Sequence, residues 1–142
     1  MNKRALQVAT FILALVPIAT GIVGMLGVDD PLYAASDLPR DATLDSNLRF
    51  FGGVWCGLGL AVMWTVPRID RETALFRAVW LMIFIGGLGR VVSLLMVGPP
   101  FVPFIGFIVL EIIGAPFFVW QQAKLARNVA ERGSAPWSKA ES

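Results

Sequence analysis

A chain of 142 residues that is 56% hydrophobic and 15% charged, with a mean hydropathy of +0.70, has too little polar surface to cover itself in water. Its net charge of +2 is too small and too dispersed for a polyanion partner, which removes nucleic-acid binding. One cysteine and no histidine leave no intrachain disulfide, no imidazole or multi-thiolate metal site, no His-ligated haem and no Ser-His or Cys-His pair, so neither metal nor cofactor is expected.

The first apolar run, residues 5–28, carries no charge. At about 1.5 Å per residue it reaches roughly 36 Å, enough to cross a hydrocarbon core of about 30 Å with some tilt. Lys3 and Arg4 ahead of it also suit a secretory signal, but the run exceeds the usual ~7–15 residues and no small-residue cleavage site precedes Asp29, Asp30 and Pro31. An uncleaved span is expected. Pro17 removes the hydrogen bond to the Leu13 carbonyl and should bend this helix. Residues 29–48 form the one long connection, in which Asp30-Pro31 is placed to cap and start a short helix through Ser36 that Pro39 ends. A second span follows at 48–66 and a third at 74–97. Gly98-Pro99-Pro100-Phe101-Val102-Pro103 predicts a tight, stiff hairpin into a fourth span at 101–121, where Pro116 should again bend the helix. The polar residues from Gly133 onward read as disordered. The expectation is all-α: an integral membrane, left-handed antiparallel four-helix bundle over residues 1–122, then a cytoplasmic tail over 123–142.

Orientation follows from the basic residues, which stay on the cytoplasmic side. Lys3 and Arg4, then Arg68, Arg71 and Arg77, then Lys124, Arg127, Arg132 and Lys139 put nine of the twelve on one face. The other face holds Asp29, Asp30, Asp37, Asp41 and Asp45 against Arg40 and Arg49. Both termini are therefore expected in the cytoplasm, with Trp64, Trp80 and Trp120 as interfacial anchors at the inner ends of their spans.

Three ionisable residues fall inside the spans: Arg49, Arg90 and Glu111. A charge at the bilayer centre costs at least about 2.5–3.5 kcal/mol, so such residues turn inward and find partners. Arg90 and Glu111 lie at equal depth on helices joined by a short hairpin, and a direct ion pair is the simplest way to satisfy both. Arg49 has alternatives. It can snorkel to the outer interface, pair with Asp45 four residues earlier, or point inward toward Glu111 and leave an outer-leaflet pocket with an excess positive charge. A network that only fixes helix register stays open beside any ligand site. Small residues predict the packing faces: Thr20, Gly21, Gly24 and Val28 in the first span, Gly53 and Gly57 in the second, Gly86, Gly89 and Ser93 in the third, and Gly114 and Ala115 in the fourth.

Asn47-Leu48-Arg49-Phe50-Phe51-Gly52-Gly53, Gly89-Arg90-Val91-Val92-Ser93, Gly98-Pro99-Pro100 and Glu111, in this order and spacing, resemble a family of small bacterial four-span proteins, domain of unknown function 4345. The resemblance runs from the first span to about Trp120. It implies a four-helix protein of the bacterial inner membrane in which the two arginines and the glutamate recur and share a role. It attaches no activity to them.

Two functions compete. In the first, a lipid or other anionic amphiphile is bound, with its head held by Arg49 and Arg90, with Asn47 and Ser93 as neutral partners, Glu111 orienting Arg90, and the acidic loop as a lid. In the second, the protein is an accessory or assembly subunit, docking on a membrane-protein partner or on a second copy of itself through its small-residue faces. An enzyme ranks third, because the comparable four-span isomerases lean on histidine. A transporter ranks last, since four short helices leave little room for alternating access.

Overall fold

The computed structural model describes residues 1–133; the expected disorder at the end of the chain lies outside them. The protein is all-α, with no strand among the described residues. Four helical runs, Lys3–Gly24, Ala42–Arg68, Thr73–Met96 and Val102–Glu131, are long and apolar enough to cross a membrane, the signature of an integral membrane protein. Helix α1 spans Lys3–Gly24, α2 Ala42–Thr65 and α3 Thr73–Met96. The fourth run is composite: α4 (Val102–Val109), a π-turn (Leu110–Gly114), then α5 (Ala115–Gly133).

Departures from expectation have local causes. Helix α1 stops at Gly24 instead of Val28, because Gly27 takes φ +67° and turns the chain. Helix α2 begins six residues early, where the Asp41 carboxylate accepts from the Leu44 amide at 2.9 Å and caps it. The Asp30-Pro31 helix exists as a single 3₁₀ turn, Pro31–Tyr33, with the buried Asp30 accepting from the Leu32 amide at 2.8 Å. Helix α1 continues through Pro17. Ahead of Pro116 the helix widens into the π-turn, whose looser winding precedes the missing N–H.

The chain groups into two compact units. Residues 8–66 form one, in which α1 and α2 run antiparallel at backbone contact. A Cβ on Gly52 would lie 2.6 Å from the Gly24 carbonyl carbon and 2.7 Å from the Met25 nitrogen, and one on Gly59 2.7 Å from an Ile18 side-chain carbon. Gly21 abuts the backbone of Cys56. Trp55 Nε1 donates to Thr20 Oγ1 at 2.9 Å. Gly53 and Gly57, expected to carry this contact, have open space before them, as do Gly86 and Gly89 of α3.

The other unit comprises Met1–Gln7 and the chain from Pro67. Helix α3 runs antiparallel to the fourth span: the Trp80 ring stacks on Phe118 at 4.9 Å and 6°, and a Cβ on Gly87 would lie 2.7 Å from Glu111 Cβ. Trp80 is thereby buried in the core and is not an interfacial anchor, whereas Trp64 and Trp120 are exposed. At the far end Gln122 donates to the Ile69 carbonyl and to Thr73 Oγ1, each at 3.0 Å. Lys3 Nζ lies 2.8 Å from Asp70, and its ammonium holds the Asp70 carboxyl below the usual carboxylate range.

Candidate functional site: a buried arginine–glutamate pair

Buried positions on α3 recur as Phe76, Trp80, Ile83 and Gly87, and Arg90 continues this four-three spacing. The facing helix answers with Ile108, Glu111, Ala115, Phe118 and Gln122, all buried. Such spacing is that of two helices packed along a common seam. Arg90 and Glu111 are its polar members. Arg90 lies six residues before the end of α3, about 9 Å inside it at 1.5 Å per residue.

The Arg90 Nε donates to Glu111 Oε1 at 3.2 Å and lies 3.0 Å from Oε2. The second contact is an ion pair without hydrogen-bond alignment, and Oε2 accepts no hydrogen bond among the described residues. The Glu111 side chain is 6% exposed and that of Arg90 34%. The rings of Phe104 and Phe107 lie against the guanidinium, 5.3 and 5.9 Å from its Cζ. Gly87 makes this approach possible, since any side chain there would strike Glu111. Between residues 78 and 123 the sequence holds no other Lys, Arg, Asp or Glu, so the pair sums to zero charge.

Arg49 is engaged elsewhere, within the unit of residues 8–66. Its Nε donates to Asp45 Oδ2 at 2.6 Å, its Nη2 to Asp45 Oδ1 at 3.2 Å and its Nη1 to the Met25 carbonyl at 2.8 Å. Asp45 Oδ1 also accepts from the Val28 amide at 3.0 Å. This clasp fastens the start of α2 to the end of α1 and needs Gly27, where a Cβ would collide with Asp45. Of the two local alternatives read from the sequence, pairing with Asp45 is the one adopted, and Asp45 offsets the Arg49 charge. Asn47 and Ser93 are exposed, and their side chains have no hydrogen-bond partner among the described residues.

Sequence reasoning paired Arg90 with Glu111 but assigned Gly86 and Gly89 to their face in place of Gly87. The seam through Phe76, Trp80 and Ile83 was the signal available, and it points to Gly87. It also missed Gln122, the Trp80–Phe118 stack and the Met25 carbonyl, to which an apolar sequence gives no marker.

Four membrane-length helices and an ion pair buried between the third and fourth define a class: a polytopic α-helical membrane protein with charge inside its spans. More particularly, the chain belongs to the family described as a domain of unknown function (DUF4345), which matches residues 5–122 and so includes Asn47, Arg49, Arg90, Ser93 and Glu111. No curated protein and no solved structure matches the chain.

Proposed function

We propose that the protein binds an amphiphile within the membrane, taking the polar head on Arg90 and the tail along the apolar surface of α3 and α4. The observation that carries this reading is the divided use of the Arg90 guanidinium. Its Nε is spent on Glu111, whereas neither Nη has a hydrogen-bond partner among the described residues and a third of the side chain is exposed. In hydrocarbon an unsatisfied donor costs several kcal/mol, so these groups call for an acceptor from outside the chain. Ser93, three residues on from Arg90 and exposed, supplies a neutral hydroxyl beside it, and Glu111 orients the guanidinium. This narrower reading does not draw on Asn47 or on Arg49, whose Nε, Nη1 and Nη2 donate to Asp45 and Met25.

Native mass spectrometry of the protein released from mild detergent is the test. Retention of a lipid-sized adduct supports the reading; a bare chain, or one retained only with a second protein, would replace it with the accessory-subunit alternative.

The orientation belongs to the same proposal. The basic residues favour cytoplasmic termini in a bacterial inner membrane, with the head site in the outer leaflet. In a Cys56→Ala background, Ser36→Cys in the exposed loop should react with an impermeant maleimide on intact spheroplasts. Reaction only after lysis would reverse the topology.

A further inference from the structure

Resting on the amphiphile-binding reading, we infer that the head recognised is the phosphodiester of a zwitterionic phospholipid. A guanidinium offers an oxyanion two paired-donor edges, Nε with one Nη and the two Nη together. Glu111 uses neither in the usual way, because both of its oxygens straddle the single Nε, at 3.2 and 3.0 Å. The Nη1–Nη2 edge is left whole. Two parallel N–H groups match two oxygens of one phosphate, while Phe104 and Phe107 brace the plane of the group.

Depth selects the source. Arg90 lies about 9 Å inside the end of α3, and a long side chain there extends toward the headgroup layer, where the phosphodiesters of the bilayer lie. Charge selects the head. The sequence alone favours an anionic ligand through the excess positive charge of an inward Arg49. With Arg49 joined to Asp45, the charge offered by residues 78–123 is that of Arg90 less that of Glu111. A monoanionic lipid would then place two negative groups on one guanidinium. A head that carries its own ammonium offsets the second.

The experiment uses the full chain in nanodiscs of phosphatidylethanolamine and phosphatidylglycerol in equal amounts, doped with diacylglycerol of the same tails, followed by native mass spectrometry. Phosphatidylethanolamine should be the enriched adduct, and diacylglycerol should be absent. Arg90→Lys keeps a cation for Glu111 but removes the paired Nη edge, so it should lower the phospholipid adduct about tenfold without changing the unfolding temperature by more than a few degrees. Should that variant fail to fold, Ser93→Leu, an exposed position, serves instead by crowding the head, with the same loss expected. Enrichment of phosphatidylglycerol would overturn the zwitterionic head while keeping the phosphodiester; enrichment of diacylglycerol, or a phospholipid adduct unchanged in the variants, would overturn the phosphodiester assignment; either result leaves amphiphile binding standing. Displacement of the adduct by millimolar inorganic phosphate would make free phosphate the ligand and overturn the lipid source. No adduct of any kind would remove both readings.

Discussion

Arg90→Met is expected to destabilise the protein by about 3 kcal/mol or more, and Glu111→Gln by less, although each breaks the same ion pair. The inequality comes from access. Glu111 is 6% exposed and held against Gly87, so without Arg90 its charge is stranded, whereas an orphaned Arg90, 34% exposed, can still reach headgroups. The double variant, Arg90→Met with Glu111→Gln, leaves no charge between residues 78 and 123 and should be more stable than Arg90→Met alone. Reversible unfolding in mixed micelles at constant lipid content reads all three. Additive effects, with no coupling beyond about 0.5 kcal/mol, would mean that the two side chains are solvated separately. A charge-swapped pair is a harsher test, because an arginine at position 111 has no room opposite Gly87.

The second large effect is expected at a glycine with no chemistry. Gly52→Ala should cost about 2–3 kcal/mol, since its methyl would meet backbone atoms of Gly24 and Met25 that cannot rotate away. One residue along the helix, Gly53→Ala should change stability by no more than about 0.5 kcal/mol, and Gly57→Ala likewise, because open space lies before both. If Gly53→Ala or Gly57→Ala weakened the protein as much as Gly52→Ala, that face would be in use as well, as in a homodimer, whereas a Gly52→Ala variant of unchanged stability would move the contact between α1 and α2 elsewhere.

These two cases mark how far the sequence is legible. The spans follow from hydrocarbon thickness, which sets a length that any apolar run must meet, and so all four are found in place, although α2 begins six residues early and the fourth helical run continues ten residues past Gln121. The Arg90–Glu111 pair follows from cost: lipid offers a charge no cheap alternative, and a short Pro-rich hairpin leaves one neighbour within reach. Glycine carries no comparable penalty. Gly52 and Gly53 are equally small and equally apolar, and choosing between them requires the angular position of α2, which the partner helix sets. Arg49 was ambiguous for a related reason, since near the membrane edge several partners cost about the same. Its donors went to Asp45, one turn away, and to the Met25 carbonyl, which Gly27 brings within reach by reversing the chain. The π-turn at Leu110–Gly114 is legible only as Pro116, which announces a disturbance without saying whether the helix will kink or widen.

The Lys3–Asp70 contact acquires a further meaning when the order of synthesis is considered. Residues 8–66 contain both sides of the α1–α2 backbone contact, of the Trp55–Thr20 hydrogen bond and of the Asp45 clasp, so that hairpin can close once α2 has left the ribosome. The opening turn of α1 cannot. Lys3 waits for Asp70, a residue made after both of the first two helices. The hairpin can therefore be closed while the first turn of α1 is still loose, and that end is fastened only once residue 70 has also emerged from the ribosome.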